Sequence, residues 1–171
     1  MKVIDNFLSP EECRLWIGCA SSEYESVESN TEMANQLADK LLSTLIDIYP
    51  DYKLLRPDTI RVSKRRYEDE NLHLDWSYKV VGSKVYACPL IVLIYLNEVE
   101  GGGPCWFPID GKMVEPEAGR MLVIPASFMH PHKVMPYDGD RYLLKAFMWV
   151  DTWISVSDYD SLLDQVKDSY K

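Results

Sequence analysis

The hydrophobic period of the chain changes partway along. After the strand-like run KVIDNF, Ser9 is followed by Pro10 and two glutamates. This is N-cap chemistry: a hydroxyl that accepts a free amide, proline at the first helical position, and acids facing the positive end of the macrodipole. A short helix to about Ser21 is expected. The segment SNTEMANQLADKLLSTLIDIYP then sets Met33, Leu37, Leu41, Leu45 and Ile48 at helical spacing, after capping candidates at Ser29 and Asn30 and before a stop at Pro50. From about residue 54 the spacing becomes that of strands: DTIRVSKRRY, LHLDWSY, PLIVLIYLN, KMVEP, RMLVIPA, HKVMP and RYLLKAFMWV, punctuated by glycine and proline. The tail SVSDYDSLLDQVKDSYK returns to helix, with Ser157 as the expected cap.

Helices, then seven or more short strands, then a closing helix predict a β-sandwich or barrel buttressed by helices rather than alternating βαβ units. LIVLIYL and YLLKAFMWV are apolar enough to be buried on both faces, which places them mid-sheet in a jelly-roll core. A chain of 171 residues suits a single domain with a real core.

Composition narrows the function. The chain is 47% hydrophobic with five Trp and eleven Tyr, as expected of a globular protein, and it has no apolar run of the roughly eighteen residues a membrane span requires. No membrane partner is expected. The start, MKVIDNFLSPEEC, carries acids and no long apolar stretch, so it does not read as a secretion signal and a cytoplasmic protein is expected. Cys13, Cys19, Cys88 and Cys105 form no CxxC pair and read as reduced thiols. A net charge of −9 repels a phosphate backbone, so no nucleic-acid partner is expected. The one basic run, Lys64 to Arg66, is short and reads as a solvated strand edge.

Candidate chemistry begins with NLHLDWS. His73 and Asp75 are two apart in a β-like run, so both side chains point to the same face and can chelate a metal. An HxD pair alone is common. Two histidines and one carboxylate on one side of an ion form the facial arrangement of non-heme Fe(II), which leaves positions open for chemistry. Only His130 and His132 remain to complete it, and their shared strand parity does not choose between them. Arg141 follows His132 by nine positions, with Pro136 and Gly139 suited to reversing the chain between them. Its planar fork matches a carboxylate as lysine does not.

Taken in order, these segments resemble the Fe(II)- and 2-oxoglutarate-dependent dioxygenases, in particular the prolyl 4-hydroxylase-like branch. DNFLSPEEC resembles the family's opening and HLD its HxD motif. IVLIYLN and GGGPCWFP resemble its central strand and glycine-rich turn, VEPEAGRMLVIP the strand pair before the distal histidine, and PHKVMPYDGDRY the histidine-to-arginine segment. The likeness covers nearly the whole chain. It implies a mainly β chain with α elements, a double-stranded β-helix (jelly roll) core buttressed by N-terminal helices and a C-terminal helix, and one dioxygenase domain over residues 1–171.

The resemblance further implies His73, Asp75 and His132 as iron ligands, with His130 a neighbour, and Arg141 as anchor for the distal carboxylate of 2-oxoglutarate. The choice of His132 follows the family spacing to Pro136 and Arg141. A tyrosine upstream of HxD often contacts 2-oxoglutarate in the family, which makes Tyr67 a cosubstrate candidate although the connection to His73 is shortened. Pro104 and Cys105 stand where the family has an acid and a threonine, leaving those roles open, and Lys145 shares the parity of Arg141 as a second cation in the pocket or a residue of the barrel rim.

The implied reaction couples hydroxylation of an unactivated C–H bond, using dioxygen, to decarboxylation of 2-oxoglutarate to succinate, with ascorbate keeping the iron as Fe(II). The implied substrate is peptidyl proline. DWSYKVVGSKVYAC is then expected as a mobile substrate loop offering Trp76, Tyr78 and Tyr86 to a proline ring, with an ordinary surface loop as the alternative. Hydroxylation of a free amino acid or other small molecule, and a jelly-roll metal- or ligand-binding module without turnover, are the other readings.

Overall fold

In the computed structural model the described residues are 1–20, 25–28, 31–67, 71–75 and 77–169. The elements follow the change of period: β1 (Lys2–Ile4), α1 (Pro10–Gly18), β2 (Glu25–Glu28), α2 (Glu32–Ile48), β3 (Thr59–Arg65), β4 (Tyr78–Val81), β5 (Lys84–Ala87), β6 (Leu90–Tyr95), β7 (Cys105–Phe107), β8 (Lys112–Val114), β9 (Met121–Pro125), β10 (Lys133–Val134), β11 (Arg141–Met148), β12 (Trp153–Ser155) and α3 (Val156–Ser169).

Helix α1 begins as its cap chemistry dictates. Ser9 Oγ accepts from the Glu12 amide at 3.2 Å while the Glu12 carboxylate accepts from the Ser9 amide at 2.7 Å, a reciprocal capping box. The helix stops at Gly18, short of the expected Ser21, which lies outside the described residues. Helix α2 buries Ala34, Leu37, Ala38, Leu41 and Leu45 on one stripe. Its cap is Thr31, which accepts from the Ala34 amide. The expected caps Ser29 and Asn30 lie outside the described residues. Helix α3 is capped by Ser155 rather than Ser157, because it is the Ser155 hydroxyl that accepts from the Asp158 amide at 3.1 Å.

The strands form three antiparallel sheets, ordered β1-β9-β6-β11-β3-β2, β10-β7-β8 and β12-β5-β4. The six-stranded sheet has two different faces. Ile60, Val62, Leu90, Val92, Ile94, Met121, Val123, Leu144, Ala146 and Met148 pack in one cluster with Trp16, Leu37, Leu41 and Leu45 of the two helices. Their alternates Ile91, Leu93, Tyr95, Leu122, Ile124 and Leu143 pack in a second cluster with Cys105, Phe107 and Val114 of the β10-β7-β8 sheet. Each fully buried aliphatic side chain here contributes roughly 1.5–3 kcal/mol of transfer free energy. The result is a mainly β chain whose antiparallel sheets are consistent with a jelly roll. LIVLIYL and YLLKAFMWV lie mid-sheet as expected.

Three expectations change. LHLDWSY is not one strand: His73 makes an isolated β-bridge, Tyr78 already belongs to β4, and Trp76 lies outside the described residues. The expected substrate loop is largely a hairpin, β4 and β5 joined through Gly82 and Ser83 with Gly82 at φ +59°, where a residue without a Cβ is favoured. Its Tyr78 ring lies 5.1 Å from Tyr159 of α3. Helix α3 thus packs on the β12-β5-β4 sheet, and among the described side chains it contributes none to the two core clusters.

Gly119 fixes the entry to β9. Its φ is +83°, its amide donates to the Tyr95 carbonyl at 2.8 Å, and its own carbonyl accepts from the Leu8 amide at 3.2 Å. A Cβ there would collide with the Leu8 carbonyl oxygen. Gly119→Ala combines that collision with a left-handed backbone and is expected to destabilise the fold by about 2–4 kcal/mol, read as a lowered urea midpoint.

Candidate metal centre

Two segments outside the regular strands meet at one point. The His73 amide donates to the His132 carbonyl at 3.0 Å and the His132 amide donates back at 2.9 Å, an isolated antiparallel bridge that puts the two residues face to face. The ring centroids are 4.6 Å apart. Asp75 completes the group, with one ligand atom from each of His73, Asp75 and His132 all within 4.8 Å of one another. Asp75 Oδ2 is 3.8 Å from His132 Nε2. His132 is buried, with its ring 5.4 Å from that of Phe107.

The ring nitrogens are set for ligation. His73 Nδ1 lies 2.9 Å from the Asn71 carbonyl, and His132 Nδ1 lies 3.1 Å from the His130 carbonyl. A carbonyl only accepts, so each Nδ1 carries the proton and each Nε2 keeps its lone pair, the tautomer a metal needs. Burial, the largest influence, lowers His132 below the usual imidazole value, against the raising effects of the His130 carbonyl and Asp75. His130 itself is turned elsewhere: its Nδ1 is 3.0 Å from Ser127 Oγ and its Nε2 4.0 Å from Asp110. It stands outside the group of three.

The triad borders a cavity of about 570 Å³ between the six-stranded sheet and the β10-β7-β8 sheet. Leu93, Val134 and Leu143 supply apolar wall, and Arg141 lines the same cavity. Arg141 is 4% exposed and its guanidinium lies 4.9 Å from the Tyr137 ring centroid, yet the buried Nε and Nη1 have no hydrogen-bond partner among the described residues. A buried cation with orphaned donors is costly unless a ligand meets it, and a planar fork fits a carboxylate. Asn97 fixes its backbone on both sides: the side-chain amide donates to the Asp140 carbonyl at 2.9 Å and its oxygen accepts from the Tyr142 amide at 2.8 Å. Lys64 and then Arg66 hold the Asp140 carboxyl below its usual range.

Sequence reasoning passed over Tyr95. It is 1% exposed, lines the cavity, and burial pushes its phenol well above the usual value, so it remains a protonated donor. A lone hydroxyl inside the aliphatic run LIVLIY was the available signal, since a buried tyrosine needs a partner. The basic run departs from the expected solvated edge at one residue: Lys64 and Arg66 reach solvent and pair with Asp140, whereas Arg65, whose register sets it opposite Arg141, lines the cavity. Lys145 also lines the cavity, with Nζ 2.7 Å from Asp75 Oδ2, and Cys105 stands in the wall as well. Tyr67 is not a lining residue; its ring meets Tyr137 edge-on at 5.6 Å.

No protein-family model matches the chain, and no curated protein matches it. Solved structures do. A truncated viral collagen prolyl hydroxylase from Paramecium Bursaria Chlorella virus-1 is similar at 17% identity and TM-score 0.67, over 88% of this chain and 90% of that one, and the same viral protein is similar in its 2OG complex. A Pseudomonas putida prolyl-4-hydroxylase is similar at 20% identity and TM-score 0.65, over 88% and 92%. A Trichoplax adhaerens prolyl hydroxylase in complex with a hypoxia inducible factor peptide fragment is similar at 17% identity and TM-score 0.63, over 88% and 83%. The chain shares the fold of these proteins.

His132 and His130 both hold protons less readily folded than unfolded, each chiefly through burial. The unfolded chain therefore takes up protons first as pH falls through about 6.5, so this contribution to stability is present above that value and lost below it. The urea midpoint of chelator-treated protein is expected to fall between pH 7 and pH 5. His132→Gln should reduce that fall, with the remainder coming from His130.

Proposed function

We propose that residues 1–171 act as one Fe(II)- and 2-oxoglutarate-dependent dioxygenase domain that hydroxylates peptidyl proline. The observation that carries this reading is the buried Arg141 fork, with two orphaned donors, in the same cavity as a two-histidine, one-carboxylate triad. The donor set suits Fe(II), since three protein ligands on one side leave the other positions open. The shared fold with prolyl hydroxylases, one in a 2OG complex and one with a peptide fragment, supports the cosubstrate and the substrate class.

His73, Asp75 and His132 would hold the iron through two Nε2 lone pairs and a carboxylate oxygen. Arg141 would hold the C5 carboxylate of 2-oxoglutarate, with the Tyr95 hydroxyl as a further donor from the same wall. When bound, iron and 2-oxoglutarate supply the oxidation of a C–H bond by dioxygen, with decarboxylation to succinate. The chain's own part is placement and exclusion. The carbonyls of Asn71 and His130 lock both imidazoles in one tautomer, Asn97 holds the backbone that carries Arg141, and Leu93, Val134 and Leu143 keep the walls apolar. Tyr67 supports Arg141 through Tyr137.

Ascorbate belongs to this reading as the reductant that keeps the iron Fe(II). A cytoplasmic location is part of the same proposal, supported by four thiols not joined in disulfides. No helix among the described residues is long and apolar enough to cross a membrane. The acidic charge argues against a nucleic-acid partner.

Anaerobic titration of Fe(II)-loaded protein with 2-oxoglutarate is expected to raise the weak visible charge-transfer band of the chelate. Arg141→Ala should move that titration to about tenfold higher concentration or beyond. His73→Ala should abolish succinate release, and full turnover in that variant would overturn the ligand assignment. Asn97→Ala, which loosens the backbone without removing the guanidinium, is expected to shift the same titration less than Arg141→Ala and to leave the band's wavelength unchanged.

A further inference from the structure

On the cavity side of the β3–β11 ladder, Arg61 stands opposite Lys145 and Arg65 opposite Arg141, with Ser63 and Leu143 paired between them. Like charges directly opposite on one face of an antiparallel pair repel and destabilise the sheet. The chain has 27 acidic residues against 18 basic ones, yet among the described residues Asp75 is the only acid that lines the cavity. A face built this way is stabilised when anions enter it.

The inner pair is accounted for by the proposed cosubstrate, whose distal carboxylate meets Arg141. A divalent ion, the Asp75 carboxylate and dianionic 2-oxoglutarate together carry one negative charge, and Arg141 cancels it. Arg61 and Lys145, the outer pair, are not called on by that balance. The outer pair flanks a single ring: Arg61 Cζ lies 5.5 Å and Lys145 Nζ 5.3 Å from the Phe147 centroid. Arg61 is exposed and has no carboxylate partner among the described residues, whereas Lys145 Nζ reaches Asp75 at 2.7 Å. The pair therefore extends from solvent to the metal triad.

We infer that the substrate oxidised at this site carries a carboxylate, and that Arg61 and Lys145 recognise it. This rests on the dioxygenase reading and adds the substrate's charge to it. The arginine fork takes a carboxylate through parallel N–H donors and the lysine adds a point charge. In a chain of net charge −9 such a ligand is repelled elsewhere and drawn to this cavity. The carboxylate has two sources: an acidic side chain next to the target proline of a peptide, or the α-carboxylate of a free amino acid.

The test is equilibrium binding, by calorimetry under nitrogen, to protein loaded with Mn(II) and 2-oxoglutarate. The peptide probes are N-acetyl-Glu-Pro-Gly-amide and N-acetyl-Pro-Glu-amide, each against its glutamine counterpart; the small-molecule pair is L-proline against L-prolinamide. In one of these sets the carboxylate is expected to bind about fivefold tighter or more, and to lose that advantage in about 0.5 M NaCl. Arg61→Gln should remove the preference, and Lys145→Gln, checked for folding by circular dichroism, should reduce it. A preference among the peptides assigns an acidic peptide, and one for L-proline a free amino acid. Equal binding in every pair, or a preference that survives both variants, overturns the inference. The chelate band of the Fe(II) protein without any probe separates the two levels. A band with equal probe binding sinks only the carboxylate inference, and no band sinks the dioxygenase reading beneath it.

Discussion

Side chains alternate across a strand, and the six-stranded sheet uses that alternation to separate folding from chemistry. The even-numbered residues Ile60 and Val62 of β3, Leu90, Val92 and Ile94 of β6, and Leu144, Ala146 and Met148 of β11 are apolar and pack against α1 and α2. The odd-numbered positions carry Arg61, Ser63, Arg65, Tyr95, Arg141 and Lys145 to the other face, where they line a cavity. Because the helices already seal one face with a large apolar cluster, the opposite face tolerates buried and like-charged groups that would be unfavourable on a sheet with nothing to offset them. The site is thus supported by a core it does not share.

The metal triad depends on a smaller device. His73 and His132 are 59 positions apart, and neither lies within a regular strand. Two reciprocal main-chain hydrogen bonds hold them opposite each other, and each ring is then oriented by a carbonyl two residues upstream. Main-chain bonds fix position, while the carbonyls fix tautomer. The three ligand atoms come together without a single side chain having to be held by another ligand.

Charge is distributed with the same economy. The exposed surface of this acidic chain neutralises cations in pairs such as Lys40 with Glu12 and Lys79 with Asp58. The cavity differs: among the described residues that line it, one carboxylate stands beside four cations of the β3–β11 ladder. Exposed pairs of the first kind are worth little to stability. The unbalanced group inside the cavity has more effect, since charges there are less screened by water and act on whatever enters.

Much of the fold and most of the triad were legible in the sequence. Helix caps and apolar spacing placed α1 and α2, and the all-apolar run of β6 placed the mid-sheet strand, because these signals are local and act through the chain's own backbone. HxD, the distal histidine and Arg141 stood at recognisable spacing. The sequence could not show which face of β3 looked inward. TIRVSKR alternates apolar with polar, and that alternation ordinarily sends the polar side to water, so Lys64 to Arg66 read as a solvated edge. Only the tertiary structure, by pairing Arg65 with Arg141 and setting a second sheet over that face, turned Arg65 into a residue of the cavity wall while Arg66 stays exposed. Tyr95 and Asn97 were hidden for the same reason: Asn97 bonds main-chain groups 43 and 45 positions away and Tyr95 lines the cavity from a strand paired at Leu143, and such long-range placement is decided by register, which no local pattern encodes.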